Sequence, residues 1–109
     1  MMKSSTAVSR LAALAQESRL DVFRLLVRTG PEGLCAGDVA AKLKLAPATL
    51  SFHLKELSNA GLIRSRQEGR FIYYAPDFKA MNSLLGYLTE NCCGGKVCEV
   101  QAAADCCPE

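Results

Sequence analysis

The sequence predicts a mainly helical domain that carries one small β-hairpin. The chain has 109 residues, a usual length for a single domain. Half of the residues are hydrophobic, and they recur at helical spacing over most of residues 5–91. The period changes once, after Gly61, where residues 62–75 have the pattern of a strand, a turn and a second strand. We expect residues 1–91 to form one domain and residues 92–109 to form a flexible, cysteine-rich tail.

The distribution of the cysteines excludes some classes of protein. Cys35 stands alone, and the other five cysteines fall in the last 18 residues. A small secreted module spreads its disulfides through the fold, so this clustering disfavours that class. No apolar run approaches the ~18–20 residues of a membrane span, and no signal-like stretch follows the first residues. We therefore expect a cytoplasmic protein with reduced thiols that does not enter a membrane.

Two helices are predicted at the start of the chain. Apolar residues follow helical spacing over residues 5–16 and again over residues 18–29. Ser18 is the expected N-cap of the second helix. The glycine and proline residues of segment 30–33 should end this helix.

Two further helices follow, separated by a short break at residues 45–47. The first is a short helix that starts near Gly37 or Asp38. Its predicted buried face consists of Leu34, Val39, Ala40 and Leu43. Pro47 suits the first turn of the next helix, where the missing N–H has no cost. That helix should run to Ala60, with Leu50, Leu54 and Leu57 facing inward, and end at Gly61.

A hairpin and a last helix complete the predicted domain. Residues 67–70 should form the hairpin turn, because Gly69 supplies the positive φ that a tight turn requires. The last helix is predicted over residues 78–91, with Met81, Leu84, Leu85 and Leu88 along one stripe.

This order of elements is that of a winged helix-turn-helix, which binds DNA. Residues 42–74 contain six basic and two acidic side chains, and Arg64, Arg66 and Arg70 flank the hairpin turn. The second helix of such a pair presents polar side chains to base edges, while arginines on the hairpin hold phosphate. The alternative is a generic small α+β domain whose charges are merely solvated.

Several motifs in the same region resemble the ArsR/SmtB family of metal-responsive repressors. They are the runs Leu50-Ser51-Phe52-His53-Leu54, Ala60-Gly61-Leu62-Ile63 and Glu68-Gly69-Arg70-Phe71-Ile72-Tyr73-Tyr74. The resemblance implies a homodimer through the first and last helices that represses an operon and leaves double-stranded operator DNA when toxic metal binds. It also implies DNA contacts by Thr49, Ser51, Phe52 and His53. Members commonly have a polar or basic residue where Phe52 stands, and a serine cap where Ala46 stands.

The side chains of the predicted recognition helix also have structural interpretations. His53 could contact DNA, make a structural hydrogen bond or ligate a metal; as the one histidine of the chain, it excludes a histidine-rich zinc site. Thr49 and Ser51 could instead cap backbone groups. Lys55 completes the predicted DNA-binding set.

The tail offers a thiol site for a soft metal or metalloid. Cys92, Cys93 and Cys98 place three thiols within seven residues, which suits the trigonal pyramid of As(III) or Sb(III). Cys106 and Cys107 are secondary candidates: they could bind a second ion, relay arsenite inward or remain free. Cys35 has Gly37 where arsenic-responsive relatives carry a second cysteine, so we expect Cys35 to be a small buried apolar residue.

Other functions are compatible with the same sequence. The same fold could respond to Zn(II), Cd(II) or Pb(II), or to oxidation through a Cys92–Cys98 disulfide. The chain could also be a metal buffer that does not bind DNA. An enzyme, and with it a catalytic cofactor, is disfavoured because no glycine-rich anion loop precedes any cysteine.

Overall fold

The computed structural model describes residues 2–90, which form five helices and a three-stranded antiparallel sheet. The elements are α1 (Ser4–Leu14), α2 (Glu17–Thr29), β1 (Leu34–Cys35), α3 (Ala36–Leu43), α4 (Pro47–Asn59), β2 (Ile63–Glu68), β3 (Phe71–Pro76) and α5 (Phe78–Leu88). The strands lie in the order β1-β3-β2. No helix within residues 2–90 is long and apolar enough to cross a membrane.

The helices form close to the predicted positions, but α2 begins differently. Gln16 rather than Ser18 is its N-cap, and the Gln16 side chain accepts a hydrogen bond of 2.8 Å from the backbone N–H of Arg19. The N-cap prediction for Ser18 is therefore wrong. Gln16 has extended backbone angles, so the chain enters the helix one residue before Ser18.

The segment Leu34–Cys35 is a strand, where the sequence predicted that Leu34 belongs to a helix. Leu34 pairs with Tyr74 and Cys35 pairs with Tyr73, so this segment forms an edge of the sheet. The prediction failed because the partner strand lies about 40 residues away and leaves no mark on the local apolar spacing. Helix α3 then starts at Ala36, directly after the strand.

The β2–β3 hairpin, called the wing below, forms where the sequence predicted it. Its pairing runs from Ile63 opposite Pro76 to Glu68 opposite Phe71, so only two residues remain for the turn. The turn is thus shorter than the predicted segment 67–70. Gly69, the first of the two turn residues, has a φ of +63°, as expected for a glycine in a tight hairpin.

The core lies where α2, α3 and α4 meet the base of the sheet. Its fully buried large side chains are Leu26, Leu50, Leu57, Leu62, Val22 and Val39. The three predicted inward positions of α4, Leu50, Leu54 and Leu57, are all buried. This packing fixes which face of α4 remains exposed.

Helices α1 and α5 pack against each other and leave much of their apolar surface exposed. Val8, Leu11, Leu85 and Leu88 are 64%, 41%, 48% and 52% exposed, respectively, and are called the end-helix surface below. The hydroxyl groups of Ser4 and Tyr87 lie 2.7 Å apart and join the start of α1 to the end of α5. Helix α5 is capped by Asp77, which accepts from the backbone N–H of Ala80, and it ends at Leu88 rather than at residue 91.

Candidate nucleic-acid interface

The exposed side of α4 carries most of the side chains predicted to contact DNA. This reading face, as we call it below, consists of Ala48, Thr49, Ser51, Phe52 and Lys55, all of which are exposed. Within residues 2–90, neither Thr49 nor Ser51 uses its side chain to cap a backbone group, which was the alternative interpretation of both. Their hydroxyl groups are therefore available to an external partner.

The beginning of α4 is suited to an anion. The N-cap residue, Ala46, has no side chain that could accept a hydrogen bond, and Pro47 occupies the first turn. The backbone N–H groups of Ala48 and Thr49 thus lack a side-chain cap. Unpaired N–H groups and the positive end of the helix dipole together favour a phosphate.

The turn that leads into α4 adds positive charge. Lys42 lies in the last turn of α3, and Lys44 follows it with a left-handed φ of +56°. Both side chains are exposed. Neither was among the predicted site residues; the basic excess of residues 42–74 was the signal that could have identified them.

The arginines of the wing differ in their freedom. The Nε of Arg66 lies 2.8 Å from the carboxylate of Glu68, and a terminal nitrogen of Arg66 donates to the backbone carbonyl of Glu32 at 2.8 Å. The Arg66 guanidinium also lies 5.0 Å from the centre of the Tyr73 ring, a cation–π distance. Within residues 2–90, Arg64 and Arg70 have no such ion pair and are exposed. The structure therefore leaves Arg64 and Arg70 free and holds Arg66 against the protein.

His53 lies in the core rather than on the reading face. It is 6% exposed, and its Nδ1 has no hydrogen-bond partner among residues 2–90. Burial lowers the pKa of His53, and the nearby Arg19 charge lowers it further, so the neutral ring is favoured. His53 is buried because position 53 lies on the same side of α4 as Leu50, Leu54 and Leu57. This position does not support the predicted contact between His53 and DNA.

Cys35 is half-buried at the start of α3, and its thiol donates to the carboxylate of Asp38 at 3.3 Å. No group of three histidine, cysteine or acidic side chains within residues 2–90 is placed to hold a metal ion. The predicted ligands Cys92, Cys93 and Cys98, with the secondary candidates Cys106 and Cys107, lie outside the described residues.

Helices α3 and α4 form a pair, and α4 exposes polar side chains and an uncapped N-terminus. A basic hairpin, the wing, follows this pair. These features define a winged helix-turn-helix DNA-binding protein. Comparison with known proteins agrees with this class. Residues 14–66 match a family profile described as a helix-turn-helix domain.

Two curated relatives are named as metal or metalloid resistance regulators. The chain is 31% identical to the arsenical resistance operon repressor of Bacillus subtilis, over 90% of this chain and 87% of that protein. It is 34% identical to the cadmium resistance transcriptional regulatory protein CadC homolog of Staphylococcus aureus, over 67% of this chain but only 59% of that protein.

A solved structure supports the same assignment. The structure of HlyU from Vibrio cholerae superposes on this chain with a TM-score of 0.64 and covers 81% of this chain and 97% of HlyU. The two sequences are 35% identical, and HlyU is also named as a transcriptional activator. Solved proteins of this fold include a homodimeric winged helix-turn-helix domain from Mycobacterium bovis. The chain belongs to the ArsR family of transcriptional regulators.

Proposed function

We propose that this chain is a dimeric repressor that binds operator DNA and is released when As(III) or Sb(III) binds Cys92, Cys93 and Cys98. One observation carries the DNA-binding part of this proposal. The exposed reading face of α4 follows an uncapped, positively polarised helix start and precedes a basic wing. Such an arrangement suits a helix in the major groove with phosphate contacts on either side.

Each side chain receives a role from its exposure and its partners. Thr49, Ser51 and Lys55 are exposed on α4 and are assigned to base edges and nearby phosphates. Arg64 and Arg70 are assigned to phosphates, because neither is engaged in an ion pair within residues 2–90. Arg66 is assigned instead to the shape of the wing, since its guanidinium is already held by three groups of the protein.

The end-helix surface is the proposed dimer interface. Four large apolar side chains, more than 40% exposed each, lie on two helices that pack together. Several large exposed apolar side chains on two neighbouring helices favour an interaction site. A second copy of the chain would bury it, and the two α4 helices would then read successive major grooves of one operator.

The proposed metalloid site begins at Cys92, four residues after Leu88, the last residue of α5. Three soft thiolates match the coordination that trivalent arsenic and antimony prefer. The bond between Ser4 and Tyr87 joins the end of α5 to the start of α1. A ligand that draws residues 92–98 together would therefore act on both dimer helices, and a coupling of ~1–3 kcal/mol would weaken DNA binding about 5–150-fold.

The experiment is a titration of the full chain on its own promoter DNA, followed by fluorescence anisotropy. As(III), Sb(III), Zn(II), Cd(II) and peroxide are added separately, with the metals under reducing conditions. We expect release by As(III) or Sb(III), and loss of that release in Cys92→Ser, Cys93→Ser and Cys98→Ser. Cys35→Ser is the matched control, because Cys35 already has a hydrogen-bond partner in Asp38 and should respond as the wild type does.

Each other outcome supports a different function. Release by Cd(II) or Zn(II) alone would favour a metal-responsive regulator, in line with the CadC relative. Release by peroxide alone would favour a thiol-redox regulator, and metal binding without DNA binding would favour a buffer. A promoter–reporter strain gives the sign of regulation, and activation in place of repression would contradict the proposed repressor.

A further inference from the structure

We infer that Phe52 reads the C5 methyl group of a thymine in the major groove and so sets part of the operator sequence. This inference rests on the proposed DNA-binding function and adds to it the kind of base pair that the helix prefers. Phe52 is an aromatic residue at a position where members of the family commonly have a polar or basic residue.

The position of Phe52 on α4 is the first observation. A helix turns about 100° per residue, so Phe52 lies about 160° from Leu50 and about 140° from Leu57 around the helix axis. Leu50 and Leu57 are 1% and 0% exposed, whereas Phe52 is 54% exposed. The Phe52 ring is therefore directed away from the core, on the middle of the reading face.

The surroundings of Phe52 are the second observation. Ala48 and Thr49, four and three residues earlier, lie on the same side of the helix and are exposed as well, so the side chains nearest to Phe52 in helical spacing are small. The centre of the Phe52 ring lies 5.9 Å from that of His53, and the rings are inclined by 58°. This is a favourable aromatic geometry, and the buried His53 thus supports one edge of an otherwise exposed ring.

The chemistry of the major groove identifies the partner. Base edges in that groove present hydrogen-bond donors and acceptors, and the methyl group of thymine is the apolar exception. A phenyl ring offers no hydrogen bond, but it gains free energy by removing a methyl group from water. Lys55 follows Phe52 by three residues, and the uncapped helix start precedes it, so positive charge on both sides favours DNA over an apolar protein surface.

The test uses the full chain and removes one methyl group at a time from the DNA. Binding sites are first selected from random duplexes by the wild-type protein, and each thymine of the best site is then replaced by deoxyuridine. We expect one thymine in each half-site at which this replacement weakens wild-type binding about fourfold, the effect of one buried methyl group. In Phe52→Ala, the same replacement should change the affinity less than about 1.5-fold.

Phe71→Ala is the matched control, because Phe71 is also an exposed phenylalanine, at 58%, but lies on the wing. Thymine methyl groups are in the major groove, so this variant should keep the fourfold deoxyuridine effect whatever its overall affinity. Circular dichroism of both variants confirms that the fold is retained.

The outcomes separate this inference from the function on which it rests. Failure of the wild type to select any sequence would refute the DNA-binding function itself. Selection of a site with no deoxyuridine effect, or with the same effect in Phe52→Ala, would overturn the role of Phe52 and leave the regulator intact. A change of oligomeric state in Phe52→Ala, seen by sedimentation, would identify a protein contact in place of the base contact.

Discussion

Replacing Arg70 with alanine should weaken DNA binding and its dependence on salt, whereas replacing Arg66 should mainly weaken the fold. Both arginines flank the same hairpin turn, and the sequence gives them the same role. In the structure, Arg70 is exposed at the turn, while Arg66 is held by Glu68, by the carbonyl of Glu32 and by the Tyr73 ring.

The expected magnitudes follow from these contacts. A dimer presents two Arg70 side chains, and each phosphate contact contributes about 0.9 to the slope of log affinity against log salt. Between ~50 and ~200 mM salt, the wild type should therefore lose about 12-fold more affinity than Arg70→Ala does. For Arg66→Ala, an exposed ion pair, a cation–π contact and a hydrogen bond together give a loss of about 1–2 kcal/mol in unfolding free energy. The low end of that range is favoured, because the two side chains of the pair are 44% and 59% exposed.

The two measurements are anisotropy titrations at several salt concentrations and urea unfolding of each variant. Arg28→Ala, which removes an exposed arginine from α2, is the control for total charge and should preserve the wild-type salt slope. A lower slope in Arg66→Ala together with an unchanged slope in Arg70→Ala would refute the reasoning, because the held arginine would then be the one that contacts phosphate.

Three further changes test the fold, the buried histidine and the dimer. Gly33→Ala should lower the free energy of unfolding in urea by about 1–3 kcal/mol. Gly33 has a φ of +78°, and an added Cβ would lie 2.5 Å from the carbonyl oxygen of Tyr74. An unchanged free energy of unfolding would contradict the close approach of β1 to β3. The lowered pKa of His53 means that the unfolded chain, with its ordinary value of 6.5, binds the proton more readily. The contribution of neutral His53 to the free energy of unfolding is therefore present above about pH 6.5 and is lost as the pH falls below it. His53→Leu should flatten the pH dependence of urea unfolding between about pH 8 and 5. An unchanged pH dependence would exclude His53 as its source. Leu85→Glu places a charge on the end-helix surface and should turn the proposed dimer into a monomer in sedimentation. A dimer that persists in this variant would place the interface elsewhere.

Local pattern predicted the elements whose signals lie within a few residues of each other. The spacing of Leu50, Leu54 and Leu57 correctly gave both the helix and its buried face. Gly69 correctly marked the hairpin turn, because a tight turn needs its positive φ. The motifs around these residues also led to the correct family.

The sequence was less informative where a distant part of the chain determines the local structure. The sequence predicted that Leu34 belongs to the same helix as Val39, but Leu34 pairs with Tyr74, and the hydrogen bonds of a strand are made with its partner. His53 is polar and lies among residues that resemble a DNA-contacting helix, yet packing against the core buries it. The Cys92, Cys93 and Cys98 site remains a prediction from the sequence.

The sequence by itself determined the order of the five helices and the hairpin, the basic centre of the chain, the cysteine-rich end and the resemblance that leads to the ArsR family. Only the tertiary structure decided which side chains of those elements are free to act. Arg66 and Arg70 are the same residue type on one hairpin, but contacts with Glu32, Glu68 and Tyr73 hold only the first. The physical reason is that a helical or strand period specifies a face, whereas the burial and the partners of each side chain on that face depend on residues far away in sequence.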